Sequence, residues 1–197
     1  MSKSKKTFSK KKREDYFYRR AKKENLRSRS YFKLEEIDKR FKITKNKEII
    51  ADLGCSPGGW LEYLGNTKSN AKIVGIDKLE VEREWLLPDN VIVIEKDFQE
   101  YVPKENFDLI VSDIAPEFSG DKKKDIGITH KINLNLIEFA DKYLKIGGDM
   151  VFKTFEGEDL ETVRKKIGKK FKRIERVKPD SSSSKSNEFY YVCINKK

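Results

Sequence analysis

The chain has 197 residues, 37% hydrophobic and 39% charged, with a formal net charge of +11. That size suits one α/β domain. No apolar run approaches the roughly 18 residues of a membrane helix, no apolar stretch follows the lysine-rich N-terminus as a secretory signal requires, and two cysteines (Cys55, Cys193) with one histidine (His130) build neither a disulfide scaffold nor a histidine metal site. A soluble, cytoplasmic, metal-free protein is expected. The charge is lopsided, since residues 1–30 hold 13 Lys/Arg against 3 Asp/Glu and residues 31–197 hold 31 against 30. A basic block of this kind is a solvated tail or a nucleic-acid contact.

In chain order, residues 1–12 read as a disordered lysine tail and Arg13 to about Asn25 as a charged helix in need of a partner, so residues 1–25 form a basic arm. Tyr31, Phe32, Leu34, Ile37 and Phe41 recur at roughly helical spacing and predict a helix over Leu26–Phe41. Glu48–Leu53 is a short apolar strand that runs into the turn Gly54-Cys55-Ser56-Pro57-Gly58-Gly59, with a helix starting near Trp60. Lys72–Asp77, Val91–Glu95 and Phe107–Asp113 are further strands. Asp121-Lys-Lys-Lys-Asp125 reads as a solvated loop, before a helix from about Ile128 to Leu144 with His130 as a surface residue at its start. Gly147-Gly148 ends that unit and Met150 opens a fifth strand. A helix over Asp159–Phe171 precedes two closing strands, Lys172–Val177 and Phe189–Ile194, joined by the loop Ser181–Ser184, which reads as mobile. Strands alternating with helices predict a mostly parallel sheet with helices on both faces.

Ligands of such sheets bind at the C-terminal ends of the strands. Gly54, Gly58 and Gly59 let backbone amides approach a ligand there, with a helix N-terminus behind them. Asp77 ends the second strand 18 residues past Gly59, where a carboxylate can accept both hydroxyls of a ribose. Asp97, just past the third strand, is placed for an adenine amino group. Separately, each residue suits a tight turn or a cap; together they indicate a nucleoside cofactor. The Gly-Lys-Ser/Thr of a phosphate loop and the Gly-x-Gly-x-x-Gly of a dinucleotide fold are both missing. Asp52, which precedes the loop, suits a cationic aminoacyl group, which points to S-adenosyl-L-methionine.

Asp52-Leu-Gly-Cys-Ser-Pro-Gly-Gly-Trp60 resembles the cofactor motif of the FtsJ/RrmJ family of RNA ribose 2′-O-methyltransferases. Four further stretches agree in order: Arg27-Ser-Arg-Ser-Tyr-Phe-Lys-Leu34, Ser112-Asp-Ile-Ala-Pro116 with Ser119-Gly120, Val151-Phe-Lys-Thr-Phe155 with Gly157, and Lys178-Pro-Asp-Ser-Ser182 up to Glu188. The family often has basic residues before that glutamate, where this chain reads Ser183-Ser184-Lys185-Ser186-Asn187. The resemblance spans residues 26–197 and implies a Rossmann-like α/β methyltransferase domain with seven strands, the last antiparallel. It also implies a tetrad of Lys33, Asp113, Lys153 and Glu188 and cofactor contacts at Gly58, Trp60, Asp77, Asp97 and Asp113. The implied reaction is methylation of a uridine ribose in large-subunit ribosomal RNA, within the ribosomal subunit and with no obligate protein partner. A tRNA ribose methyltransferase, or a non-catalytic RNA-binding assembly protein, are the other readings.

The tetrad also makes chemical sense without the family. A ribose 2′-hydroxyl is a poor nucleophile that must be oriented and deprotonated. Lys153 lies in an apolar strand, where an unpaired ammonium is costly. As a base it must be neutral, a form that desolvation and a neighbouring cation favour and carboxylates oppose. Lys153 is assigned to deprotonate or steer the hydroxyl, Asp113 and Glu188 to orient it, and Lys33 to hold the target ribose or phosphate. Cys55 is a small packing residue.

Overall fold

The computed structural model describes residues 10–81, 87–116, 119–183 and 186–197. Helix α1 (Lys10–Lys23) and helix α2 (Tyr31–Phe41) precede strand β1 (Ile49–Leu53), helix α3 (Gly59–Thr67), and strands β2 (Lys72–Asp77), β3 (Val91–Glu95) and β4 (Phe107–Ser112). Helix α4 (Lys122–Tyr143), strand β5 (Leu144–Phe155), helix α5 (Leu160–Lys170) and strands β6 (Phe171–Val177) and β7 (Glu188–Lys196) complete the order. The strands form one sheet, β3-β2-β1-β4-β5-β7-β6, in which β7 runs antiparallel to both neighbours.

The two-residue period of the strands divides the core. Ala51, Leu53, Ile76, Ile110 and Phe152 face α4 and α5. Ile50, Ile73, Leu109, Val111 and Val151 face α2 and α3. Each of the larger side chains contributes roughly 1.5–3 kcal/mol from apolar burial, so both faces of the sheet are anchored.

Several expectations need correction; the helix expected from Leu26 starts at Tyr31. Residues 10–12, read as tail, are helical; residues 1–9 of that tail lie outside the described residues. Helix α4 starts at Lys122, because the Asp121 carboxylate accepts the backbone N–H groups of Lys123 and Lys124 and caps what the lysine run disguised as a loop. Strand β5 begins at Leu144, and the residues around Gly147 (φ +77°) form an irregularity in its pairing with β4. His130 is buried, its Nε2 lying 3.0 Å from the Phe155 carbonyl oxygen.

The far end of α4 has its own device. Lys196 is buried, and its Nζ donates to the carbonyls of Ala140, Asp141 and Leu144 at 2.9, 2.6 and 2.7 Å. The last strand thus adds a charged donor to the carbonyls at the helix C-terminus, where the Leu144 N–H already reaches Ala140.

Candidate active site at the C-terminal edge of the sheet

The glycine turn after β1 is held by the segment before α2. The backbone N–H of Arg27 donates to Glu62 of α3 at 2.9 Å, and its guanidinium donates to the Pro57 carbonyl at 3.4 Å. A Cβ on Gly59 would lie 2.6 Å from Ser30 Oγ and 2.9 Å from Ser28 Cβ, so this glycine is what lets the two segments meet. Gly54 has φ +71°, and a Cβ there would sit 1.9 Å from Ile114. Gly58, at φ +103°, precedes α3. Trp60 is buried, with its indole N–H donating to the Ser30 carbonyl at 2.8 Å. The Arg27–Ser30 motif therefore braces the turn and fixes α2 against it.

Three carboxylates gather at the turn. Asp52 is 1% exposed, and neither of its oxygens has a hydrogen-bond partner among the described residues. Burial, reinforced by Asp113 and Asp77, pushes its carboxyl well above the ordinary range. Two unpartnered buried oxygens beside two further carboxylates suit a cation. Asp77 accepts the backbone N–H groups of Ser56 (2.8 Å) and Leu79 (2.9 Å), which ties the end of β2 to the turn. Asp97 sits one strand further along, 2.8 Å from Lys78 Nζ. Burial opposes its ionisation, but Lys78 and the Gln99 amide win and hold its carboxyl low.

Next to this edge, Lys33, Asp113, Lys153 and Glu188 converge. In register, Lys153 of β5 pairs with Tyr190 of β7, and Asp113 follows the last residue of the neighbouring β4. Lys153 Nζ donates to the Asp113 carbonyl at 2.5 Å and lies 3.1 Å from Asp113 Oδ1. Lys33 Nζ, from α2, lies 2.9 Å from Glu188 Oε1 and 3.9 Å from Asp113 Oδ1. Both lysines are buried. Burial alone would raise the Asp113 carboxyl; Lys33, Lys153 and Tyr190 overcome it and hold the group ionised.

No sequence motif marks Tyr190. Its hydroxyl donates to Asp113 Oδ1 at 2.6 Å, and its ring packs 5.8 Å from that of Trp60. The strand period was the available signal, since residues 188 and 190 share a face. Glu36 was missed too. It accepts the backbone N–H groups of Asp180 (2.6 Å) and Ser181 (3.0 Å), and Ser181 and Ser182 are buried. That start of the serine loop is a docked segment, contrary to its reading as mobile; Ser184 lies outside the described residues. Cys55 is buried and its thiol is raised by burial, so packing describes it fully.

A family model described as FtsJ-like methyltransferase matches residues 26–196. Ribosomal RNA large subunit methyltransferase E from Bdellovibrio bacteriovorus is 34% identical over 193 residues, 93% of this chain and 97% of that protein. The protein of the same name from Methanosphaera stadtmanae is 30% identical, with 91% of each chain covered. Among solved structures, one described as a ribosomal RNA methyltransferase from Plasmodium falciparum superposes with a TM-score of 0.75 at 27% identity, covering 87% of this chain and 98% of that one. The N-methyltransferase NodS from Bradyrhizobium japonicum, at 16% identity and a TM-score of 0.56, shares the fold.

Proposed function

The chain belongs to the FtsJ-like methyltransferase family and is a methyltransferase, and from that premise we propose that it methylates the ribose 2′-hydroxyl of a uridine in large-subunit ribosomal RNA, with S-adenosyl-L-methionine as donor. The carrying observation is the buried cluster of two lysines and two carboxylates at the sheet edge, next to the unpartnered oxygens of Asp52.

When bound, S-adenosylmethionine supplies an electrophilic methyl on a sulfonium. Asp52, Asp77 and Asp113 set a negative field suited to its cationic groups, the amides around Gly54, Gly58 and Trp60 give the close approach, and Asp77 and Asp97 take the nucleoside. Lys33 and Glu188 hold the target ribose. Lys153, held by Asp113, would steer the hydroxyl toward the methyl or take its proton. Asp113 and Glu188 keep that amine and hydroxyl aligned.

The division of labour is a basic arm over residues 1–25 that contacts RNA phosphates and a methyltransferase domain over residues 26–197. Labelled-methyl transfer to large ribosomal subunits and to tRNA, followed by mapping of the modified ribose, tests the reading. Incorporation into tRNA alone refutes the ribosomal substrate, and a methyl found on a base refutes the chemistry.

A further inference from the structure

A cavity of about 200 Å³ opens beside the cluster, between the start of α4 and the segment that enters β7. Ile126, Thr129, Phe155, Ser186 and Asn187 contribute to its lining. Phe155 pairs in register with Glu188, and the Ser186 hydroxyl accepts the Glu188 backbone N–H at 3.1 Å. Asn187 and Glu188 are consecutive, so ~3.3 Å of extended chain separates the cavity from the cluster. The cavity wall depends on Gly157, where a Cβ would lie 2.4 Å from Ile126 Cγ2 and 3.1 Å from His130 Cε1. Without a side chain there, the first turns of α4 close over the end of β5.

Ile126 and Phe155 make part of the wall apolar. The Thr129 hydroxyl is committed to the Asp125 carbonyl at 2.9 Å. Asn187 is exposed, and no hydrogen bond of its side-chain amide occurs among the described residues.

We propose that this cavity receives the base of the nucleotide whose ribose is methylated, and that Asn187 reads the edge of that base. The inference deepens the proposed reaction and rests on it. A nucleotide whose ribose reaches Glu188 must place its base within one nucleoside's length, and this cavity is a recess at that distance. Bases drawn out of an RNA fold are held by an apolar slot and by hydrogen bonds to the Watson–Crick edge. A side-chain amide offers a donor and an acceptor side by side, matching the N3–H and a carbonyl of uracil. The slot is below the usual range for small-molecule pockets, about 300–1,000 Å³, which favours a single pyrimidine ring over a purine.

The test uses the full chain and large-subunit particles assembled with either uridine or adenosine at the methylated position. Single-turnover methyl transfer is measured, with calorimetry of S-adenosylmethionine binding alongside. Wild type should prefer uridine. Ile126→Ala, which widens the slot, should lower the uridine-to-adenosine ratio by roughly tenfold, the scale on which one misfit methylene acts in a pocket. Ile126→Trp, which fills it, should lower kcat/KM on uridine by at least as much, with cofactor affinity unchanged. Asn187→Leu should also lower kcat/KM, and a wild-type value there removes Asn187 from base reading. An unchanged ratio in Ile126→Ala overturns the assignment of the cavity while leaving the reaction intact, and this variant decides alone if circular dichroism shows Ile126→Trp unfolded. Absence of ribose methylation by wild type refutes the parent reading and the base pocket with it.

Discussion

Replacing Lys153 with methionine removes the amine while keeping the length of the side chain. The residue is 7% exposed, and its Nζ contacts both the carbonyl and the carboxylate of Asp113. Two effects on stability oppose one another. Hydrogen bonds to a charged group are worth about 1.5–3 kcal/mol each, but a buried ammonium costs several kcal/mol in lost hydration, and methionine has no such cost. Asp113 is not abandoned, because Lys33 remains 3.9 Å away and the Tyr190 hydroxyl still donates at 2.6 Å. The net change should stay below about 2 kcal/mol, within the ordinary range of single substitutions. The kinetic effect has no such offset. A positioned base contributes ~10²–10⁴ in rate, or about 2.7–5.4 kcal/mol of barrier. Single-turnover methylation with both ligands saturating should show the loss in kcat rather than KM, with S-adenosylmethionine affinity unchanged by calorimetry. A variant that keeps more than about a tenth of the wild-type rate, above anything loss of a base allows, would show that another group takes the proton and that the cluster works by alignment.

If Asp52 takes the cationic group of the cofactor, as proposed, its raised carboxyl should make cofactor binding pH-dependent. A cation favours its ionised form, so binding releases a proton below the raised value of the free protein. Affinity should climb with pH there and level off above it, while in Asp52→Asn it should be weak and flat; a slope that survives the substitution refutes the assignment. The stability of the free chain moves the other way. The folded state holds a proton that the unfolded chain gives up near ~3.9, so stability falls as pH rises from there toward the raised value, and thermal melts of Asp52→Asn should lack that fall. Asp77→Ala should weaken S-adenosylmethionine by about 1.5–3 kcal/mol, and unchanged affinity by calorimetry would remove it from the ribose. Deleting residues 1–24 should flatten the slope of log K for RNA against log salt by about 0.7–0.9 per lost phosphate contact. The same deletion should destabilise the fold by roughly 1.5–3 kcal/mol, because the Phe17 ring 5.5 Å from Phe32 and the Arg20 guanidinium 4.3 Å from it both leave a wholly buried side chain; a denaturation midpoint equal to wild type would show that α1 carries no such load.

Legibility from sequence followed the range of the interactions concerned. Strands β2 and β3 match their expected bounds because their apolar runs end in turn residues. The four tetrad residues could be named because each lies in a short motif. What escaped depends on contacts between distant segments. Glu36 looks like any exposed helix acid until the backbone at residues 180–181 folds onto it. Lone His130 looks polar and superficial until β5 presents the Phe155 carbonyl. Local reading failed where one signal concealed another, as with the lysine run that hid the capped start of α4.

The order of the sheet also bears on synthesis. Strand β7 is made after β6 yet lies between it and β5. While a ribosome is still extending residues 178–187, β6 has no partner strand, α4 lacks the amine of Lys196 on its terminal carbonyls, and Lys33 has no Glu188 to meet. Domains generally assemble as they emerge, and here the half of the sheet from β1 to β4 can pair early while the cluster that includes Glu188 cannot. A chain stalled or truncated before residue 188 would carry the glycine turn with Lys33, Asp113 and Lys153 but without Glu188 and Tyr190, so the proposed site is completed only with the final seam of the sheet.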